Sequence, residues 1–225
     1  MEGLFIIFLV CYISLYIKRR RYEKSNYKNE SGNTYSDIQS NKGMIGEQLI
    51  FNELEKIKGV HKILANVYLP KGNGHTSEVD IIYINESGIY VIESKNYKGY
   101  IYGNEQDKYW RQKLANSIEF YNPILQNSAH IDAIIKNLNI DRKCIKSVIV
   151  FGNECKLCNS KILSQDVYVI KRKKLIKLLK SLMKKSINKF DEDKINCMYN
   201  QLRRYSCVDD CVKLMHIENI KRKIK

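Results

Sequence analysis

The sequence predicts an α/β protein, a mixed β-sheet flanked by helices, with a single apolar helix in front of it. Three observations predict this. A hairpin of apolar and β-branched residues runs from Ser77 to Lys95; strand-like and helix-like segments alternate after it; and Gly3 to Ile17 is an uncharged apolar run that stops at Lys18-Arg19-Arg20-Arg21.

With 225 residues the chain can hold one well-buried domain plus appendages. The formal net charge of +15 favours a polyanionic partner, nucleic acid first and anionic lipid second. A lysine-rich solvated surface is the plain alternative. Seven cysteines, an odd number, speak against a disulfide scaffold and for reduced thiols in a cytosolic compartment.

The N-terminal element is expected to be a membrane anchor over residues 1–21. A helix over the fifteen residues Gly3 to Ile17 reaches about 22 Å against a hydrocarbon core of about 30 Å. Snorkelling of Lys18 and Arg19, with Tyr12 and Tyr16 at the interface, is expected to close the gap. The positive charge follows the apolar run and no small-residue cleavage site is present, which is the pattern of an uncleaved single-pass anchor with the rest of the chain on the cytoplasmic side. A buried or peripheral helix is the alternative. Residues 22–40, polar and without periodicity, read as a tether.

A helix begins at Gly43, with Ile50, Leu54 and Ile57 as its apolar stripe. Glu47 falls on that stripe, either as a functional carboxylate facing inward or as a first-turn acid favoured by the helix dipole. Val60 to Leu69 reads as a strand and Pro70 to Gly74 as a loop.

The hairpin comes next: Ser77 to Ile84, a turn at Asn85-Glu86-Ser87-Gly88, and Ile89 to Lys95. With pairing symmetric about the turn, Asp80 faces Glu93, and Lys95 projects on the same face. Facing carboxylates repel, so a cation must hold them; Lys95 can, and a divalent metal with oxygen ligands does so better. A type I turn with a bulge at Gly88 would instead place Asp80 opposite Ser94.

Gly99 to Gly103 contains another short strand, and Trp110 follows in a polar stretch. Asn122-Pro123 reads as a helix start. Gln126 and His130 then share one face of that helix, His130 being a site residue or a merely structural histidine. Ser147 to Phe151 and Val167 to Ile170 are strands, with helix from Lys173.

Taken in order, Gly46-Glu47, Glu78-Val79-Asp80, the run Gly88 to Gly99, Trp110, and Asn122-Pro123-x-x-Gln126-Asn127-x-x-His130 resemble the nuclease-related domain, a branch of the PD-(D/E)xK nuclease superfamily. The resemblance runs from about Gly43 to Ile170. It implies a restriction-endonuclease-like core over residues 41–170, with Asp80 and Glu93 binding Mg²⁺ or Mn²⁺, Lys95 orienting or deprotonating the attacking water, and Glu47 in support. It implies the symmetric register, and sets Gln126 near the metal with His130 where relatives carry Tyr. The implied activity is hydrolysis of phosphodiester bonds, DNA before RNA. A non-catalytic nucleic-acid-binding or membrane-surface module on the same fold is the alternative.

Residues 171–225 read as a basic helical extension. Lys171 to Lys189 carries nine Lys or Arg and no acid around an apolar stripe. Lys171, Arg172, Lys173, Lys174 and Lys177 are candidates for contact with phosphates or with an anionic leaflet; a docking helix with a solvated face is the alternative. Cys155, Cys158, Cys207 and Cys211 have a spacing that allows a zinc site, with isolated thiols as the default.

Overall fold

In the computed structural model two sheets and eight α-helices account for the chain, described for residues 2–72, 75–158, 161–187 and 190–224. Of the segments singled out above, Met1, Asn73, Gly74, Asn188, Lys189 and Lys225 lie outside these residues. The larger sheet has the strand order β1 (His61–Gly72), β2 (His75–Asn85), β3 (Gly88–Lys95), β7 (Ile145–Phe151) and β9 (Val167–Lys171). The first three strands are antiparallel; β3, β7 and β9 are parallel to one another. The sheet is therefore mixed, as the sequence predicts.

Helices cover both faces. On one, α4 (Lys42–Leu54) and α6 (Leu175–Lys185) pack Ile50, Phe51, Leu54, Leu175 and Leu179 against Ile81, Tyr90 and Ile92. On the other, α5 (Pro123–Leu138) and α7 (Glu192–Arg203) pack Ile131, Ile134, Ile195 and Leu202 against Ile82, Ile89 and Val91. Apolar residues at consecutive positions of β3 thus face helices on both sides, as in any parallel sheet core. Of the helices that follow residue 170, α6 thus packs on one face of the sheet and α7 on the other.

Helix starts follow local chemistry. Asn41 caps α4 through its side-chain oxygen, and Asn122 caps α5 just before Pro123 at the first helical position. Asn122 also donates its amide to the carbonyls of Glu105 and Asp107, tying α5 to the chain around Trp110.

The smaller sheet has the order β6 (Ser117–Tyr121), β5 (Tyr109–Lys113), β4 (Gly99–Tyr102) and β8 (Cys155–Cys158). Trp110 lies inside it on β5, not in a polar loop: it is buried, stacks parallel to Phe151 at 6.0 Å, and donates from Nε1 to the Asn104 carbonyl. Gly103 must lack a side chain, because a Cβ there would sit 2.2 Å from the indole.

Two expectations need correction. Residues 22–40 are not a tether: they form the end of α1 (Glu2–Lys24) and then α2 (Tyr27–Ser31) and α3 (Tyr35–Ser40), and Tyr22, Tyr27 and Ile38 are buried in the core beside α4. Irregularly spaced tyrosines among Asn, Ser and Lys carry no period, which conceals this. The local signals were Gly32 at φ +72° behind α2 and a Thr34–Asp37 capping box opening α3.

The second correction concerns α1 (Glu2–Lys24). It is one continuous helix with Leu4, Phe5, Ile6, Ile7 and Phe8 all exposed, yet among the described residues no helix is long and apolar enough to cross a membrane. The apolar run ends too early at Lys18.

Candidate functional site

The site forms where the faces of the sheet exchange. β1 and β2 keep one register from His61 to Pro70, Ala65 opposite Ile81 and Val67 opposite Val79. Ala65 and Ile81 nevertheless pack on the α4 side, whereas Val67 and Val79 pack on the α5 side. Between them stand Asn66, at φ +50°, and Asp80. Asn is among the few residues that accept this left-handed backbone at modest cost. Asp80 on β2 and Glu93 on β3 here lie within electrostatic reach of Glu47 from α4.

Asp80 enters from β2. Its Oδ2 accepts the Ser94 backbone N–H at 2.8 Å. The hairpin pairs Ile81 with Ile92 and Asn85 with Gly88, so Asp80 stands opposite Glu93 and the symmetric register holds. Gly88 absorbs the turn at φ +138°, where a Cβ would strike the Cys144 carbonyl. Burial raises the Asp80 pKa well above the ordinary carboxylate value, and the charges of Glu93 and Glu47 add to it.

Glu93 is buried on β3. Lys95 Nζ donates to its Oε1 at 2.6 Å and to Gln126 Oε1 on α5 at 3.1 Å. Burial pushes Glu93 up, but Lys95 and His130 outweigh it and hold its pKa below the usual value. Burial likewise opposes the charge on Lys95, yet Glu93 and Asp80 raise its pKa above that of a free lysine. Lys95 is therefore a fixed ammonium at neutral pH.

His130, one turn beyond Gln126, has Nε2 3.2 Å from Glu93 Oε2, and its Nδ1 meets Ser77 Oγ at 2.6 Å. Both Glu93 Oε2 and His130 Nε2 are buried without a well-formed hydrogen bond among the described residues.

Glu47 reaches the cluster from α4. It accepts from Asn66 Nδ2 at 2.9 Å and from Tyr27 Oη at 3.1 Å. Burial is the main cause of a pKa pushed up to about 7, with Glu78 and Glu93 contributing. Its helix can come this close because residue 46 is glycine: a Cβ there would lie 2.8 Å from Asn96 Cβ and 2.9 Å from Ser94 Oγ. Glu78 borders the cluster, accepting from Tyr68 Oη at 2.7 Å.

Asp80, Glu93, Lys95, Glu47, Gln126 and His130 are thus brought together. The basic residues are placed differently. Lys171 pairs with Phe151 at the end of the sheet, and Arg172 lines a small cleft with Gly46, Ser94 and Asn96. Lys173, Lys174 and Lys177 are exposed on the turn and helix that follow. Tyr27, Asn66 and Ser77 escaped sequence reasoning. A lone Asn inside the apolar run Leu64-Ala65-Asn66-Val67 was the signal for the second; nothing marked Tyr27 or Ser77.

All seven cysteines are free, Cys155 and Cys158 lie on β8 while Cys207 contacts the chain around α2, and among the described residues no group of three or more His, Cys, Asp or Glu is arranged to hold a metal ion. A Mg²⁺ site needs fewer protein ligands than that: one or two carboxylates, with water and phosphate oxygens completing the shell. Asp80 and Glu93, repelling each other, with one buried Glu93 oxygen lacking a hydrogen bond, fit such a two-carboxylate site.

Residues 42–152 match the family model described as nuclease-related domain. An uncharacterised protein of Bacillus anthracis is 30% identical over 184 residues, covering 81% of this chain and 85% of its own length. No solved structure matches.

Proposed function

The chain belongs to the nuclease-related domain family, and from that premise we propose that it is a metal-dependent nuclease that hydrolyses phosphodiester bonds, DNA before RNA. The observation that carries this is the gathering of Glu47 from α4, Asp80 from β2 and Glu93 from β3, with the Lys95 ammonium held on Glu93. Structural ion pairs match one acid with one base; here Lys95 pairs with the buried Glu93 while Asp80 and Glu47, both part-buried, crowd the same place, and burial and mutual repulsion raise these two. Such perturbed groups concentrate where chemistry is done.

Asp80 and Glu93 would hold Mg²⁺ or Mn²⁺, with Glu47 in support. The ion, when bound, polarises a phosphate and lowers the pKa of water. Lys95 supplies positive charge beside the scissile phosphate, since its raised pKa keeps it protonated. Gln126 fixes the Lys95 ammonium from the α5 side, and His130, held through Nδ1 by Ser77, stands beside the inner oxygen of Glu93. The surrounding cations, with Arg172 nearest the cluster, favour a phosphate polyanion.

The test is incubation of the full chain with linear, circular and single-stranded DNA in Mg²⁺ or Mn²⁺. Cleavage is expected, and Asp80→Ala or Lys95→Ala should abolish it. Cleavage that survives in either variant overturns the proposal.

A second proposal concerns location. The exposed apolar side chains of α1, followed by Lys18 to Arg21, support attachment to an anionic membrane surface without a crossing. Co-flotation with anionic vesicles that persists after Leu4, Ile7 and Phe8 are changed to Ser would exclude it.

A further inference from the structure

The smaller sheet has two unlike faces. Residues paired across strands share a face, and Tyr100 pairs with Lys113 and with Lys156, while Tyr109 pairs with Tyr121. Arg111, two residues from both Tyr109 and Lys113, lies on this face as well. The opposite face carries Ile101 and Trp110, both buried. On the open face Tyr100, Tyr109 and Tyr121 are 48%, 51% and 46% exposed, and Arg111, Lys113 and Lys156 are exposed beside them, with one acid, Glu119, opposite Arg111.

Three half-exposed aromatic rings interleaved with cations make an unusual solvent face for a short sheet. Nothing in the fold requires them, because the core of this sheet is built on its other side. Lys156 Nζ stands 5.7 Å from the Tyr100 ring centre and Lys108 Nζ 5.4 Å from that of Tyr109, so charge and π-surface are held together. The sheet is also anchored beside the candidate site. β4 begins four residues beyond Lys95, the Gly152 N–H donates to the Lys95 carbonyl at 3.0 Å, and Trp110 stacks on Phe151, the residue paired with Lys95.

We infer that this face binds single-stranded nucleic acid, with unpaired bases stacking on Tyr100, Tyr109 and Tyr121 and phosphates meeting Arg111, Lys113 and Lys156. The inference rests on the nuclease proposal for its ligand class and narrows that class. A duplex keeps its base faces inside the stack and offers only phosphates to this surface; a single strand offers both. An acidic protein would use the cations and leave the rings idle.

The experiment uses the full chain with Asp80→Asn, in EDTA, and fluorescence anisotropy with a labelled oligothymidylate and a labelled hairpin duplex. Tighter binding of the single strand is expected. Changing the three tyrosines to Ala should weaken single-strand binding at least tenfold, roughly the loss of one stacked base, and leave duplex binding within about twofold. The matching change to Phe should keep single-strand affinity, because Phe still stacks. Should the triple Ala variant lose its thermal transition, Tyr100→Ala alone is measured, with roughly tenfold loss expected.

Equal losses on both nucleic acids, or a Phe variant as weak as the Ala variant, would overturn the inference. So would a loss of binding to phosphatidylserine vesicles in place of the oligonucleotide. Single-strand binding that depends on the tyrosines in a chain that cleaves nothing with Mg²⁺ would sink the nuclease proposal alone. Cleavage with single-strand binding indifferent to the tyrosines would sink this inference alone.

Discussion

Asn66 holds Glu47 across the sheet, its Nδ2 2.9 Å from Glu47 Oε2, while its own backbone stands in the left-handed region at φ +50°. One residue thus performs two tasks. Asn66→Ala should lose both the hydrogen bond and the backbone tolerance, and urea unfolding should show a loss of about 2–3 kcal/mol. Asn66→Gly keeps the backbone and drops only the amide, so about 1 kcal/mol should return. Equal stability of the two variants would show that the backbone there is unstrained.

Asp80 should be a residue the fold would be more stable without. Its pKa is raised by burial first and by Glu93 and Glu47 next, so ionising it at neutral pH costs folding free energy. A raised acid contributes its stability below its unfolded pKa and loses it as pH climbs through the folded one. Asp80→Asn keeps an oxygen for the Ser94 N–H and carries no charge. It should stabilise the protein at pH 7 by about 1–2 kcal/mol, with the gain vanishing towards pH 4. Thermal melts of both proteins across that range check it; a variant less stable at pH 7 refutes the picture of mutual repulsion.

Much of this arrangement was legible in the sequence, for a physical reason. The hairpin advertised itself through two continuous β-branched and aromatic runs joined by a short turn, and once its symmetric register was fixed, Asp80 had to oppose Glu93. Gln126 and His130 followed from helical spacing behind Asn122-Pro123. What the sequence hid were contacts between elements far apart in the chain and without period: Tyr27 on Glu47, Ser77 on His130, and the strands around Trp110, whose alternation of Tyr, Arg and Lys with Trp and Gln resembles a polar loop. The tyrosine-rich segment after α1 hid for the same reason. Local pattern reports an element's own apolar face, not which distant polar group closes on it.

Gly46 should be intolerant of the smallest change. Its helix rests on Ser94 and Asn96 with no room for a methyl group, and the next residue is Glu47. In an exposed helix Gly→Ala stabilises by up to about 1 kcal/mol. Here the added methyl should push α4 off the sheet, lowering stability by about 1–3 kcal/mol and cleavage by tenfold or more through displaced Glu47. A fully active Gly46→Ala protein would show that Glu47 does not need this position.

Lys95 gives the sharpest pH test, because the sign differs from that at Asp80. Glu93 has a lowered pKa in the folded protein, held there by Lys95 and His130 against the opposing effect of burial. Its stabilising share is present above the unfolded value near 4.5 and is lost as pH falls through the folded one. Lys95→Ala removes the ammonium 2.6 Å away and leaves Glu93 as a buried, poorly compensated charge. At pH 7 the loss should be on the order of 3 kcal/mol, and it should shrink in acid, where Glu93 takes up a proton. A divalent ion offers the same carboxylates a replacement cation, so Mg²⁺ should raise the melting temperature of Lys95→Ala more than that of the wild type while restoring no cleavage. A wild-type-sized Mg²⁺ shift in Lys95→Ala would mean that the ion does not bind at Asp80 and Glu93.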